Sequence, residues 1–353
     1  MAIESVRWAP DRKAVRIIDQ RRLPNEFIER DLESLEDVRD AIGTLAVRGA
    51  PAIGICGAMG LAVTAAPFVS ETRARFLETV RRNAEVIAAT RPTAVNLAWA
   101  VNRVVDRASR AAGTNEDVLA TMREEATAIL EEDRAMCRRI GEAGAPLLSE
   151  GARVLTHCNA GALATGGIGT ALAPVYVAAA EGRNVCVLAT ETRPLLQGSR
   201  LTAWELTQAG IPVTVITDSA AASRMRAREV DLCIVGADRV VANGDVANKV
   251  GTYALAVLAR YHGIPFYVAM PSSTIDPALP SGDRITIEER DTREVSTLGD
   301  RQVTAEHAAV ANAAFDVTPA ELVTAFITDA GVIRPPYDFR SKNPGSPIPD
   351  LES

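Results

Sequence analysis

The stretch RVLTHCNAGALATGGIGTALAP, residues 153–174, opens on a short apolar run, passes through a polar and glycine-rich segment and ends in an alanine-rich helical pattern. A strand that turns through His157, Cys158 and Asn159 and then enters a helix is half of a βαβ unit. The alternation recurs, with candidate strands at 153–156, 185–189, 213–216, 232–235 and 266–269 and candidate helices near 169–180, 199–209, 220–228 and 247–261. Each strand is apolar enough to be buried on both faces, as parallel strands are. The expected fold class is therefore α/β, with a Rossmann-like parallel sheet over residues 146–353 that ends in a Pro-rich arm, either packed or frayed.

Upstream, residues 1–145 carry long amphipathic patterns at 35–45, 72–89 and 116–139 after a short β-like opening at 15–18. This predicts a mainly helical N-terminal domain. The boundary falls in GEAGAPLLSEGAR, where glycines and Pro146 interrupt the periodicity.

Composition narrows the function classes. A net charge of −7 with few aromatic residues gives neither a broad phosphate-binding surface nor a base-stacking platform. Neither nucleic acid nor a membrane is an expected partner. Five cysteines at scattered spacings without a CxxC fit a reduced cytoplasmic protein. The start MAIESVRWAP has no apolar signal core, and no stretch is expected to be long and apolar enough to span a membrane.

Every candidate strand runs into a polar or small-residue turn, and ligands of open parallel sheets bind beyond those strand ends. After the first strand stand Cys158 and glycines 161, 166, 167 and 169, which suit either close backbone approach to an anion or tight packing. The run lacks the P-loop spacing, and no GxGxxG occurs. His157 has no ligand partner at metal spacing, whereas Cys186 and Cys233 sit in apolar runs that read as core. In CIVGADRVVANGDVANKVGTYALA, Asp238 ends a strand, and Asn248 and Lys249 follow an Asn-Gly turn at the expected start of a helix. A carboxylate with a lysine on the next loop suits proton transfer beside an anionic substrate, though for an isolated aspartate helix or turn capping is the readier explanation. Arg48 before Gly49, Ala50 and a proline, Arg91 before a proline, and Gln197 in ETRPLLQGSR are polar islands in apolar surroundings. Either arginine alone reads as surface; two such corners suggest an anion site.

Together RGAPAIG, TRPTAVNLAWA, HCNAGALATGGIGTALAP, ETRPLLQGSRLTAWEL, VGADRVVANGDVANKVGTYALA and YVAMPSSTID resemble the methylthioribose-1-phosphate isomerases of methionine salvage, from about Arg48 to Asp276. The wider superfamily holds ribose-1,5-bisphosphate isomerase and the regulatory subunits of the initiation-factor exchange complex. The resemblance implies an aldose–ketose isomerase acting on a sugar phosphate without metal or nucleotide cofactor, as a cytoplasmic homodimer. It implies Asp238 as acid or base, Cys158 as the transition-state cysteine, and Arg48, Gly49, Ala50, Arg91, Gln197, Asn248 and Lys249 as substrate-binding residues. The alternatives it leaves are a 5-deoxyribose 1-phosphate or ribose-1,5-bisphosphate isomerase, or a non-catalytic sugar-phosphate- or nucleotide-sensing subunit.

Overall fold

A computed structural model describes residues 3–92 and 94–340. The part of the Pro-rich C-terminal arm beyond Arg340 lies outside the described residues. The chain divides into two compact units, one reaching to Cys137 and taking in Gly161–Gly169, the other formed by Arg138–Ala160 and the chain from Thr170 onward.

The first unit opens with an antiparallel meander, β1 (Val6–Trp8), β2 (Val15–Ile18) and β3 (Glu29–Leu32), so the β-like opening is three strands rather than one. Helices α1 (Leu35–Gly43), α2 (Ala50–Ala65), α3 (Arg73–Ala89), α4 (Val95–Arg110) and α5 (Asn115–Gly144) follow, the last running past Cys137. Ser34 and Asp37 close a reciprocal capping box at the start of α1. Two helices, α2 and α4, were not among those expected. The segment Ala50–Phe68, with mean hydropathy 1.6, is long and apolar enough to cross a membrane, which corrects the expectation that no such stretch exists. It is nonetheless the core helix of this unit. Its residues from Ala52 to Ala65 are all buried, and apolarity on every side is what full burial demands. Its glycines permit the packing: a Cβ on Gly57 would lie 2.5 Å from Leu97, and one on Gly60 2.7 Å from Val38.

The second unit is built on a seven-stranded sheet of β4 (Arg153–Thr156), β5 (Cys186–Thr190), β6 (Val213–Ile216), β7 (Leu232–Val235), β10 (Phe266–Ala269), β15 (Ala325–Thr328) and β16 (Gly331–Ile333). The order is β16-β15-β10-β7-β4-β5-β6, parallel except for β16. The expected strands therefore form, and β15 and β16 extend them. Helices α6 (Ala173–Ala180), α7 (Ala203–Gln208, after a π-helical turn at Gly198–Thr202), α8 (Ala221–Arg226) and α9 (Thr252–His262) make the crossovers. A smaller sheet orders β11 (Ile275–Asp276), β8 (Arg239–Val241), β9 (Val246–Lys249) and β14 (Phe315–Thr318). Beyond it α10 (Arg293–Ser296) leads into the hairpin of β12 (Thr297–Leu298) and β13 (Arg301–Gln302). The arm up to Arg340 packs rather than frays: Phe339 is buried, edge-on to Phe326 with ring centroids 5.7 Å apart.

Chain order and spatial order diverge at one place. From β4 the sheet grows outward through β5 and β6, then the chain returns to lay β7 on the opposite side of β4 and continues to β10 and β15. The reversal lies between β4 and β7, and a ligand crevice opens where such a reversal meets the carboxyl ends of the strands.

Candidate active site

Cys158 follows β4, Gln197 follows β5 and Asp238 follows β7, so three neighbouring strands carry them to the carboxyl edge of the sheet around the reversal.

The backbone at Cys158 is left-handed, with φ 63°, a strained region for a residue with a Cβ. The surroundings hold it there. Its N–H donates to Thr192 Oγ1 at 2.9 Å and its carbonyl accepts from Thr202 Oγ1 at 2.7 Å. Thr190, Thr192 and Thr202 are fully buried, whereas the thiol of Cys158 belongs to a half-buried residue. The carboxylate of Asp218 accepts from the N–H groups of Thr192 and Arg193, each at 2.8 Å, and so fixes the turn after β5. Asn159 is buried and donates to Glu205 Oε2 at 3.0 Å. None of these threonines stood out in the sequence; the polar spelling TETRP was the only signal for Thr190 and Thr192.

Gln197 is 7% exposed, and its Oε1 has no hydrogen-bond partner among the described residues. A buried acceptor left unmade costs about 1–3 kcal/mol, so it suits a donor from a ligand. Asp238 is exposed and its backbone N–H donates to Ala247 O at 2.9 Å.

Asn248 and Lys249 do not start a helix. They end β9, which pairs with β8 across the Asn-Gly turn and with β14 on its other side, Asn248 facing Asp316. The partner strand β14 comes from far down the chain, so local pattern could not show that these residues are extended. Asn248 is buried and donates to Thr252 Oγ1 at 3.0 Å. The Lys249 ammonium donates to Ala314 O at 2.9 Å and lies 4.8 Å from the centre of the Phe315 ring. At the N-terminus of α9, Asp316 accepts from Gly251 N at 2.7 Å and Tyr253 N at 3.1 Å. That helix end is therefore already capped by a carboxylate. Burial raises the proton affinity of Asp316 above the ordinary carboxylate range despite those bonds.

The glycine-rich segment is also resolved. A Cβ at Gly166 would meet Leu130 at 2.5 Å and one at Gly167 would meet Cys137 at 2.9 Å, so both serve close packing on α5. Asp133, buried on α5, accepts from Gly166 N at 2.6 Å, and burial lifts its pKa to about 6. Of the two cysteines expected in the core, Cys233 is fully buried, but Cys186 is half-buried because it opens β5 beside Arg153.

In the helical unit Gly49 is the N-cap of α2, with φ 94°, Ala50 begins the helix, and Arg48 is half-buried. A side chain at Gly49 would strike Ala164 O at 2.3 Å. Arg91 stands in the turn between α3 and α4 and is half-buried, its carbonyl accepting from Ala94 N at 2.9 Å. A Cβ on Gly54 would lie 2.9 Å from Asn96 O, so the first turns of α2 and α4 abut. Arg48 and Arg91, which precede these turns, are thereby brought to one end of the unit.

A family model for the initiation factor 2 subunit family matches residues 46–335. The chain belongs to that family. It is 54% identical over 337 residues, 95% of its length and 92% of the other, to a methylthioribose-1-phosphate isomerase of Pelotomaculum thermopropionicum. It is 55% identical over 326 residues, 92% of each chain, to a 5-deoxyribose 1-phosphate isomerase of Moorella thermoacetica. The crystal structure of 5-methylthioribose 1-phosphate isomerase from Pyrococcus horikoshii superposes with a TM-score of 0.90 at 45% identity, covering 95% of this chain and 93% of that one. The α/β fold with a helical N-terminal region is the fold of these family members.

Proposed function

We propose that the protein is an aldose–ketose isomerase that converts 5-methylthioribose 1-phosphate to 5-methylthioribulose 1-phosphate in methionine salvage. The observation that carries this reading is the resemblance to isomerases of that name along nearly the whole chain. The position of Cys158 and Asp238 just beyond the carboxyl ends of the two strands that flank the sheet reversal supports it.

The substrate carries phosphate on its anomeric oxygen, so its furanose cannot open to a free aldehyde. Opening needs a proton on the ring oxygen, and Asp238 in its acid form is the residue for that step. Its exposure supplies none of the burial that would favour the acid form, so bound substrate has to provide it. A hydrogen then moves from C2 to C1 while the C2 hydroxyl gives its proton to the Asp238 carboxylate and becomes the ketone. Cys158 either relays it as a proton or shields its passage as a hydride. The unmet Oε1 of Gln197 suits a sugar hydroxyl. Arg48, Gly49, Ala50, Arg91, Asn248 and Lys249 are the further substrate contacts in this reading, with the phosphate as the group the cations serve. A cytoplasmic homodimer completes it, and sedimentation of the purified protein as a monomer would remove the dimer alone.

The deciding experiment offers purified protein methylthioribose 1-phosphate and, separately, 5-deoxyribose 1-phosphate, with no added metal or nicotinamide. Turnover of the first with the higher kcat/KM is expected. Preference for the second would reassign the substrate in line with the Moorella relative. Turnover of neither would sink the isomerase reading.

A further inference from the structure

We infer that His157 is a positioning residue that couples the loop bearing Cys158 to the turn that directly follows Lys249; the inference deepens the isomerase reading and rests on it for its kinetic consequence. His157 is 2% exposed, and both ring nitrogens are engaged. Nε2 lies 2.8 Å from Val250 O and Nδ1 lies 2.6 Å from Thr190 Oγ1. A carbonyl only accepts, so Nε2 carries a proton. Burial lowers the proton affinity of the ring, with Lys249 adding to the shift and the Val250 bond and Asp218 opposing it, and in the neutral ring Nδ1 accepts from the Thr190 hydroxyl.

The two bonds reach different pieces of the site. Thr190 closes β5, two residues before the Thr192 hydroxyl that holds the N–H of Cys158. Val250 directly follows Lys249, and Gly251 packs its Cα on the ring: an added Cβ would stand 3.0 Å from Cε1 and 3.1 Å from Nε2. Gly251 also has φ 105°, so the turn is shaped both by its own backbone and by the imidazole it abuts. One rigid ring therefore sets the spacing between the strained cysteine loop and the lysine turn. A general acid or base would need access to substrate; a ring with both nitrogens occupied by protein holds its neighbours in place instead.

The test perturbs one loop and reads the other. In the full-length protein, iodoacetamide alkylation of Cys158 is followed on its own peptide by mass spectrometry in Thr190→Val, Thr190→Ser, His157→Gln and Gly251→Ala, with melting temperature measured on each. Thr190→Val, which removes only the hydroxyl, is expected to change the alkylation rate by ~3-fold or more and to raise KM while lowering kcat by ~10-fold, with Thr190→Ser restoring both. Gly251→Ala, made in the lysine turn, is expected to change alkylation at Cys158 as well. A folded Gly251→Ala or Thr190→Val with the wild-type alkylation rate and KM overturns the coupling, because a ring that merely fills the core would lower the melting temperature and nothing else. Should the wild type turn over neither sugar phosphate, the isomerase reading falls, and the alkylation rates still decide the coupling.

Discussion

The segments that follow β4 and β7 leave neighbouring strands at the same sheet edge, yet they are held differently. After β4 the backbone of Cys158 is bent into a left-handed conformation and tied on both sides by buried threonine hydroxyls. After β7 the chain passes Asp238, whose side chain is exposed, into the ladder of β8 and β9. A thiol set by a strained, fully bonded backbone has its position before any ligand arrives. A carboxylate in contact with water has its chemistry completed by the ligand that displaces the water. The sheet reversal thus offers one preorganised group and one group awaiting substrate.

Substitution of these two residues has the largest expected effect and tests the comparison directly. Cys158→Ser and Asp238→Asn should each lower kcat by ~10²-fold or more with the fold intact, since in the proposed mechanism each removes a group that acts in the transition state. Activity within a few-fold of wild type for either variant, measured beside its melting temperature, removes that residue from the mechanism. Next in size is Arg91→Ala in the helical unit, for which KM should rise about tenfold, on the order of 1.4 kcal/mol, through loss of the phosphate contact proposed for it. Unchanged KM with a lowered melting temperature would reduce Arg91 to the cap of a helix corner. The remaining effect is on stability rather than turnover and concerns Asp133, which anchors the continuation of the β4 loop at Gly166. Its pKa is raised from 3.8 to about 6, so its stabilising contribution is complete below the unfolded value and is lost as pH rises through about 6. Asp133→Asn keeps an acceptor for Gly166 and should flatten the loss of stability between pH ~4 and ~6, worth at most about 3 kcal/mol. Parallel chemical denaturation curves for the two proteins across that range would refute the assignment.

Much of this arrangement was legible from local pattern. The strands Leu232–Val235 and Phe266–Ala269 coincide with fully buried apolar runs, because strands covered on both faces need no polar residue, whereas the edge strand Val213–Ile216 exposes Thr214 and Val215 against the expectation that every strand is buried on both faces. The turns at their carboxyl ends are likewise visible, since only there do polar and small residues cluster. Less visible was α2, whose all-round apolarity erases the periodicity that marks a surface helix.

The sequence by itself determined a helical unit followed by a Rossmann-like one, and it picked out Cys158 and Asp238 as the polar residues at strand ends. Tertiary structure decided which strands are neighbours, because β7 crosses to the far side of β4 and only that reversal brings the two residues to adjacent strands. It also decided that Asn248 and Lys249 are extended, through pairing with β14, and that a buried histidine bridges Thr190 to Val250. The physical reason is the same each time. Hydrogen bonds between residues tens of positions apart outweigh the local preferences a chain carries, and a local pattern contains no record of which distant partner will supply them.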